Sequence, residues 1–589
     1  MADFKMCGFC AGQYLNRADR RYHAQTISCH ECGPNIDMSL ISLAASLIQG
    51  GKVVAVKGVG GYNLICDPFQ DKAVSRLREV KHREQKPFAV MFLNASFAGQ
   101  YCEINEVERR LLESSAKPIL LLEQKEKAPL HSAEFERSRF IGAFLPSTGL
   151  HRLLLEACGK PLIVTSANVS GLPMIKGDEE MLALAEGSKG LIAETLSHAR
   201  EIRVAVDDSV VRVIDGKPQM IRRSKGYAPV PLFMGANFRN PEKNMASLAC
   251  GGQLKSSFAL NKGAFSYVSQ YFGDLDSIEN MRIYEENVER MKSLFGIEPR
   301  IVICDMHPLY DTTRFAEKYA AQNGCDLIKV QHHHAHVASV MAEHHLPGPV
   351  IGVSFDGTGY GADGKIWGGE FLICEGSGFK RDSHLKYVKM LGGDSSMKEA
   401  WKSAICHIIA YDGKEHETIA DDEIIIDISD IIAAGGAREN NNWDTVKRAL
   451  DNGINAVESS SMGRLFDAVS SLLGICHENS YEGECAILLE DAAARALKRP
   501  GEDLTDDLAL SFHLRVATMI CERCVKIRDA KRLNKVALTG GVFQNKILME
   551  KALELLRGEG FDVYYNISVS PNDGGIALGQ SYIGFLSLA

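Results

Sequence analysis

Apolar and polar positions follow two alternating spacings along the first third of the chain. Apolar residues recur at helical spacing over Ser39–Gln49 and again over Lys72–Val80. Short continuous apolar runs at Lys52–Lys57 and Pro161–Thr165 predict buried strands, and each run is followed by a glycine or serine turn. This alternation of helices and strands predicts an α/β domain.

The remainder of the chain predicts a second and larger α/β domain. Apolar runs at Ile351–Phe355 and Lys535–Thr539 predict strands that lead directly into glycine turns. Between them, roughly residues 395–530 are mostly helical in pattern and rich in charge, which predicts a helical insertion.

The chain has 589 residues, which is too many for one hydrophobic core, so several domains are expected. We predict a small metal-binding domain at 1–35, an α/β domain at 36–225, a proline-containing linker at 226–245 and the larger α/β domain at 246–589. The fold class is therefore α/β multidomain.

Composition narrows the functional classes. A net charge of −9 argues against a broad nucleic-acid surface, so no nucleic-acid partner is expected. No apolar run approaches the roughly 20 residues that cross a bilayer, and the N-terminus lacks a signal-peptide pattern. The sixteen scattered cysteines are interpreted as reduced thiols, some of them metal ligands. A cytoplasmic enzyme without a membrane partner is the expectation.

Two CxxC pairs near the start predict a structural zinc site. Cys7 and Cys10 form the first pair, and Cys29 and Cys32 form the second. Each pair places two thiolates on one tight turn, and two such turns complete a tetrahedral Zn²⁺ site.

A histidine cluster is the strongest candidate site of the larger domain. If Gln331–Glu343 is helical, His332 and His336 lie at i and i+4 on one face, close enough to share a metal. Asp356 follows a predicted strand, and Asp573 follows another apolar stretch. Two imidazoles and two carboxylates suit Fe²⁺, Zn²⁺ or Mn²⁺, and the sequence leaves these three open.

Three glycine turns in the same domain predict phosphate binding, because glycine lets backbone N–H groups approach anionic oxygens. They are Gly251-Gly252, Asp356-Gly357-Thr358-Gly359 and Gly540-Gly541, the last followed by Asn545. None of them is a Walker loop. Beside the metal cluster they favour a cleft that binds a nucleotide.

The first α/β domain offers a second candidate anion site, made of cations and hydroxyls that suit a nucleotide phosphate or an adenylate. Its candidate residues are Lys57, Lys86, Thr165, Ser166, Asn168, Arg203 and Arg223. The alternative interpretation is that the arginines are ordinary exposed charges.

These motifs, taken in order, resemble the HypF family of hydrogenase maturation carbamoyltransferases over nearly the whole chain. The segment from Asp19 to Cys32 resembles the second zinc finger of that family. Four segments resemble its YrdC-like domain: Lys57–Tyr62, Lys86–Phe88, Pro146–His151 with Ser147, and Thr165–Gly171. Five more resemble its actin-like ATPase domain: Val330–His336, Asp356–Gly359, Ser461–Asp467, Tyr481–Glu484 and Asn572–Gly575.

The resemblance implies a fold and a reaction sequence. It implies a zinc ribbon, a YrdC-like domain and a two-lobed actin-like (ASKHA) ATPase domain. Carbamate derived from carbamoyl phosphate is then activated by ATP with Mg²⁺, which yields carbamoyl-adenylate and pyrophosphate. The carbamoyl group passes to the C-terminal cysteine of a partner, HypE, and AMP is released. The product is the precursor of the cyanide ligands of [NiFe]-hydrogenase.

The resemblance also implies site residues. In the first domain, Ser147 joins the polar and cationic residues already proposed there. In the second domain, the nucleotide-binding residues are expected to be Gly357, Thr358, Asp467, Gly540, Gly541 and Asn545. The family usually begins with an acylphosphatase domain and a first finger that this sequence lacks, so inefficient hydrolysis of carbamoyl phosphate is expected.

Three other functions compete with this interpretation. An antibiotic O-carbamoyltransferase shares the two later domains but is expected to lack the cysteine finger. A tRNA threonylcarbamoyl-transfer enzyme has related modules, but the charge of −9 disfavours tRNA. A zinc-ribbon scaffold with inactive nucleotide folds is disfavoured by the intact set of two histidines and two aspartates.

Overall fold

The computed structural model describes residues 5–33, 37–126, 138–235, 246–392, 397–412, 420–435 and 442–587. Part of the predicted linker, residues 236–245, and part of the boundary after the finger, residues 34–36, lie outside these ranges. Contacts divide the chain into two units, Met1–Asp208 and Ser209–Ala589. Each unit is described by itself.

The first unit contains strands β1–β7 in the spatial order β7-β1-β2-β6-β3-β5-β4, with mixed parallel and antiparallel pairing. Its strands are β1 Val53–Lys57, β2 Tyr62–Cys66, β3 Val90–Met91, β4 Ile119–Glu123, β5 Phe140–Phe144, β6 Leu162–Ser166 and β7 Ile192–Leu196. Its helices are α1 Gly8–Leu15, α2 Met38–Gln49, α3 Asp71–Lys81, α4 Ala95–Ala98, α5 Glu106–Glu113, α6 Gly149–Cys158 and α7 Asp178–Gly187.

The apolar pattern located four of these elements, α2, α3, β1 and β6, to within one residue at each end. The helix predicted from Ser39 is α2, and the Asp37 side chain caps it by accepting a hydrogen bond from the Ser39 N–H. Strand β1 is buried at all five positions, as expected for an apolar run in the middle of a sheet.

The second unit contains two further sheets and a β-hairpin. Its strands are β8 Val210–Ile214, β9 Lys217–Arg222, β10 Leu232–Phe233, β11 Ser247–Ala249, β12 Ala259–Lys262, β13 Phe265–Val268, β14 Ile301–Asp305, β15 Asp326–Val330, β16 Val350–Tyr360, β17 Ile366–Glu375, β18 Gly378–Leu385, β19 Val388–Leu391, β20 Glu423–Ile424, β21 Ala456–Ser459, β22 Lys535–Thr539 and β23 Asp562–Tyr565. One sheet has the order β10-β13-β12-β11-β14-β15, and the other has the path β19-β21-β17-β16-β22-β23, with β18 on β17.

The helices of the second unit are α8 Ile278–Phe295, α9 Asp311–Asn323, α10 His332–Glu343, α11 Ala400–Asp412, α12 Ser429–Ala434, α13 Trp443–Asp451, α14 Met462–Leu472, α15 Glu484–Lys498, α16 Leu504–Lys531, α17 Lys546–Gly558 and α18 Ile576–Leu586. The predicted helical insertion corresponds to α11–α16 with two short strands. In the described parts of the chain, no helix is both long and apolar enough to span a bilayer.

Helix α10 is the element that positions the histidine cluster. Residues His332 to Ala342 are all buried, because α10 packs against α18 within an apolar core that also includes Val337, Met341 and Ile576. The two helices meet at Gly579, where an added Cβ would come within 1.8 Å of the Ala335 carbonyl oxygen. Only glycine allows this approach, so the position of α10 is fixed by close packing.

Strand β16 differs from its predicted form. The apolar run predicted a strand that ends at Phe355 before a glycine turn, but β16 continues to Tyr360. Its pairing with β17 shifts between Phe355 and Gly359, so Asp356, Gly357 and Thr358 bulge out of the ladder. A bulge of this kind changes the direction in which a side chain projects, and it occurs here at a predicted metal ligand.

Candidate metal and nucleotide site

Four side chains of the second unit converge on one point, as the sequence predicted. His332 and His336 come from α10, Asp356 from the bulge of β16, and Asp573 from a 3₁₀ turn just before α18. One ligand atom from each lies within 4.8 Å of all the others, and all four residues are buried. Residues distant in sequence are thereby brought into one cluster.

The distances between these atoms suit a metal ion. The His332 Nε2 lies 3.5 Å from Asp356 Oδ2 and 3.6 Å from Asp573 Oδ1. The His336 Nε2 lies 3.5 Å and 3.8 Å from the same two oxygens. Ligand bonds of about 2.0–2.2 Å at tetrahedral angles separate ligand atoms by about 3.3–3.6 Å. Both Nε2 atoms are buried and have no hydrogen-bond partner in the described parts of the chain, so the residues present fit a metal.

Asp305 is a member of this site that the sequence analysis missed. It ends β14, is almost fully buried, and its Oδ2 lies 2.7 Å from His332 Nδ1. A carboxylate in this position holds the proton on Nδ1 and leaves Nε2 available as a ligand. The only sequence signal was an aspartate at the end of an apolar run, which many strands share.

Charge and burial act together on the cluster. Burial disfavours the imidazolium of His332, but Asp573 and Asp305 outweigh it and hold the pKa of His332 well above its ordinary value. Burial also disfavours the Asp356 carboxylate, yet the neighbouring imidazoles of His332 and His336 hold its pKa well below the usual range. The site therefore favours separated charges, which a bound cation would replace.

All three predicted glycine turns border the cluster. In the first turn, a Cβ added to Gly252 would lie 3.2 Å from Asp573 Oδ2. The Gly541 N–H donates to Asp356 Oδ1 at 3.2 Å, and the Gly540 N–H donates to the Pro571 carbonyl. Gly357 and Thr358 form the bulge beside Asp356. These contacts bring the ends of β16 and β22 together around the metal ligands.

The side chains of Asn545 and Asp467 already contact other residues of the protein. The Asn545 Oδ1 caps α17 by accepting the Leu548 N–H, and its Nδ2 lies 2.9 Å from the buried His513 ring. Asp467 is 1% exposed and pairs with Arg464, whose Nη2 lies 2.9 Å from Oδ2. Their nucleotide-binding roles stay predictions, and any contribution of the Asp467 side chain would pass through Arg464.

The four finger cysteines also form a cluster. Sulfur–sulfur separations are 3.6 Å for Cys7 and Cys29, 3.8 Å for Cys29 and Cys32, and 3.6 Å for Cys32 and Cys10. A tetrahedral zinc with Zn–S bonds of about 2.3 Å places its sulfurs about 3.8 Å apart. The finger therefore fits Zn²⁺.

In the first unit, Lys57 already has a partner. It is buried at the end of β1, its ammonium group lies 2.5 Å from Asp178 Oδ1, and it donates to the His198 carbonyl. The Tyr62 hydroxyl donates to the same carboxylate at 2.8 Å. Asp178 is therefore a member of this group that the sequence analysis did not name.

Lys81 is a further residue of the first unit that the sequence analysis did not name as part of the site. It ends α3, and its ammonium group donates to the main-chain oxygens of Ser166 and Asn168 and to Asn168 Oδ1. Burial and the charges of Arg83 and Lys86 lower its pKa to about 7. Lys81 and Lys86 lie in one basic stretch of the sequence, residues 81–86, and the sequence analysis selected only Lys86 from it.

The remaining predicted residues of this site have different surroundings. Thr165 and Ser166 end β6, and the Ser166 hydroxyl donates to Asn168 Oδ1. Lys86 and Ser147 are exposed, and Arg203 is 77% exposed beside Glu201. Arg223 belongs to the second unit and is buried there.

The Arg223 guanidinium donates to the carbonyls of Val268, Tyr227 and Val230. Its place at the activation site stays a prediction, and no contact described here supports it.

The fold and sites define a multidomain α/β protein with a finger and a buried cluster of histidines and aspartates. Four family models match the chain: "HypF finger" at 6–38, "Telomere recombination" at 46–224, "HypF Kae1-like domain" at 242–343, and "Carbamoyltransferase, Kae1-like Domain, second subdomain" at 352–505 and 499–580. Together these models describe both units.

Individual relatives agree. Carbamoyltransferase HypF of Rhodobacter capsulatus is 33% identical over all of this chain and 80% of its own length. A crystal structure of full-length HypF in the phosphate- and nucleotide-bound form is 35% identical, with a TM-score of 0.88 over all of this chain and 79% of that one. Threonylcarbamoyl-AMP synthase of Enterobacter is 27% identical over 27% of this chain. The chain belongs to the HypF family and is a carbamoyltransferase.

Proposed function

We propose that this carbamoyltransferase activates carbamate with ATP in its first unit and transfers the carbamoyl group in its second unit. In the first reaction, a carbamate oxygen attacks the α-phosphorus of ATP, the bond to the β-phosphate oxygen breaks, and pyrophosphate leaves. In the second, a thiolate attacks the carbamoyl carbon, the bond to the phosphate oxygen breaks, and AMP leaves. The observation that carries this proposal is the buried cluster of two histidines and two aspartates beside the glycine turns.

For the first reaction, the proposed site is the group around Lys81, Ser166 and Asn168. A lysine at the end of a helix, held against a strand end by Asn168, is suited to neutralise charge on the triphosphate. Lys86 lies in the same basic stretch and is exposed to an incoming anion. Lys57, with its charge already balanced by Asp178, would shape the pocket through this fixed pair rather than act as a free cation.

For the second reaction, residues around the cluster position the adenylate. Gly357 and Thr358 present backbone beside Asp356, where N–H groups can approach phosphate oxygens, and the Gly541 N–H holds the Asp356 carboxylate in place. The surrounding burial excludes water, which protects an activated carbamoyl group from hydrolysis. These are contributions of the protein itself.

A metal at this site would be held by His332, His336, Asp356 and Asp573. This mixed set of nitrogen and oxygen ligands suits Fe²⁺, Zn²⁺ or Mn²⁺. When bound, it would act as a Lewis acid that polarises an oxygen of the adenylate. Asp305 orients His332 for this role through the hydrogen bond to Nδ1. Mg²⁺ is expected to accompany ATP.

The acceptor is proposed to be the C-terminal cysteine of HypE, and the pathway is maturation of [NiFe]-hydrogenase. This part rests on family membership, since the relatives are named carbamoyltransferase HypF and not by their acceptor. Carbamoyl phosphate is the proposed source of carbamate. A cytoplasmic location and an actin-like (ASKHA) architecture for the second unit are also kept as proposals.

The test combines the purified chain with ATP, a source of carbamate and HypE, followed by mass spectrometry of HypE. We expect a carbamoyl adduct on the terminal cysteine, with AMP and pyrophosphate formed in equal amounts. A HypE variant in which that cysteine is alanine is the control and should gain no mass. Formation of AMP without any adduct on HypE would contradict the proposed acceptor.

A further inference from the structure

The Arg464 guanidinium is buried with more hydrogen-bond donors than the protein satisfies. Its Nη2 lies 2.9 Å from Asp467 Oδ2, and the side chain is 11% exposed. Its Nε and Nη1 atoms are both buried and have no hydrogen-bond partner among the residues that the structure describes. Unsatisfied buried donors are costly, especially on a charged group, so a partner is expected to occupy this space.

Other buried arginines of the second unit differ in this respect. Arg523, at 17% exposure, pairs with Asp382 at 2.8 Å and leaves a single nitrogen unpartnered. Arg381 also leaves a single nitrogen. An arginine that forms an ion pair therefore does not necessarily leave two nitrogens without a hydrogen bond. Of these three arginines, Arg464 leaves two and the others leave one each.

The position of Arg464 indicates what the missing partner is. Its Nη2 lies 3.9 Å from the point where a Cβ on Gly357 would be, so it faces the bulge that carries Asp356. Ser461 fixes this arrangement, because its hydroxyl accepts a hydrogen bond from the backbone N–H of Arg464 and donates one to the Gly357 carbonyl. Gly463 packs directly against Gly357. The guanidinium thus lies beside the proposed phosphate-binding turn.

Asp467 holds the guanidinium through the same Nη2 atom. Its second oxygen accepts a hydrogen bond from Asn479 Nδ2 at 3.4 Å, and Asn479 also binds the Met397 carbonyl and the Cys485 N–H. A carboxylate held in this way restricts the rotamers of the arginine and leaves the Nε and Nη1 donors for another partner. The N–H groups of a planar guanidinium are suited to phosphate oxygens.

We propose that Arg464 binds a phosphate group of the nucleotide at the Asp356–Gly359 turn and that Asp467 is its positioning residue. This inference rests on the proposed function, which places a nucleotide beside that turn. The shared chemistry is a phosphate, whether it belongs to ATP, to an adenylate or to free phosphate. The buried Nε and Nη1 donors of the arginine then find acceptors when the ligand binds.

The test measures ligand binding locally in the full chain, because a second nucleotide site is proposed in the first unit. Hydrogen–deuterium exchange of peptides that cover residues 355–372 and 461–472 is followed during titrations with ATP, AMP, adenosine and inorganic phosphate. The main variant is the double substitution R464Q/D467N, which removes both charges and avoids a lone buried carboxylate. R464K tests whether a positive charge without the planar guanidinium is sufficient for phosphate binding. R523Q/D382N, which removes another ion pair of the second unit, is the matched control.

We expect R464Q/D467N to raise the midpoint for ATP by about 10- to 100-fold, as for loss of charge-assisted hydrogen bonds. Adenosine, which lacks phosphate, should keep its midpoint, R464K should be intermediate, and the control should match the wild type. An equal shift for AMP assigns the contact to the α-phosphate, and a shift for ATP alone assigns it to the outer phosphates. Protection by inorganic phosphate that is lost in the variant identifies a site for the free ion.

Two results would overturn the inference alone. In one, the ATP midpoint of the double variant stays within about two-fold of the wild type. In the other, adenosine shifts as much as ATP, which indicates a structural role. If ATP does not slow hydrogen–deuterium exchange of these segments even in the wild type, the proposed nucleotide site is wrong, and the inference about Arg464 is wrong with it.

Discussion

The substitution D305N gives the sharpest test of the metal site, because it changes the charge beside a ligand without changing the ligands. Asp305 Oδ2 accepts a hydrogen bond from His332 Nδ1 at 2.7 Å, and Oδ1 accepts one from the backbone N–H of His307 at 2.8 Å. Asparagine has nearly the same shape but only one accepting oxygen. It cannot satisfy both donors at once.

The two possible orientations of the amide have different costs. If its oxygen faces His332, the amide NH₂ opposes the His307 N–H, and a buried donor is left unsatisfied at about 1–3 kcal/mol. If its NH₂ faces His332, the proton moves from Nδ1 to Nε2, and Nε2 can no longer bind a metal. Either way the loss is of the size expected for removing such a carboxylate, about 10- to 100-fold in metal affinity.

The assay is competition between the protein and a chromogenic chelator, which gives the metal dissociation constant, followed by the transfer reaction over a range of metal concentrations. D305N should need about 10- to 100-fold more metal for half-maximal transfer, with the activation reaction of the first unit unchanged. D326N is the control, because Asp326 is exposed at the start of the neighbouring strand β15. Equal metal affinity in D305N and wild type would refute the argument that Asp305 orients His332.

The remaining predictions concern three other groups. H332A should abolish metal binding and transfer but leave ATP–pyrophosphate exchange intact, and joint loss of both reactions would contradict two separate sites. Burial lowers the pKa of Lys81 to about 7, so its charge disappears as the pH rises through that value. If the charge binds ATP, kcat/KM for activation should fall above about pH 7, and K81R should flatten that limb. C32S should lower the zinc content by about one ion per chain and increase proteolysis within residues 5–33, and an unchanged zinc content would argue against the finger site.

Much of the local structure could be predicted because it depends on short-range pattern. The helix assumed for residues 331–343 is α10, which begins one residue later at His332, and the spacing of His332 and His336 puts them one turn apart on it. The apolar run before Thr539 located β22 without error. These elements are specified by neighbours within a few positions, so one sequence suffices to find them.

Other features could not be predicted because they depend on which distant residues meet. The extension of β16 to Tyr360 requires pairing with β17, and the apolar run alone gave no sign of the bulge at Asp356. The basic stretch indicated a cation near the first site, but only the contact of Lys81 with Asn168 selects among its members. Arg464 carried no signal until its burial and idle donors were visible.

The sequence by itself determined the chemical types at this protein's sites: thiolates in two CxxC pairs, imidazoles one helical turn apart, and carboxylates and glycines after apolar runs. Such patterns are local, and a residue's reactivity class does not depend on the fold. The tertiary structure decided which of them act together, since it alone brings His332, His336, Asp356 and Asp573 to within bonding reach of one point and places Asp305 against His332. It did so by burying α10 against α18, where close packing leaves the histidines a single orientation.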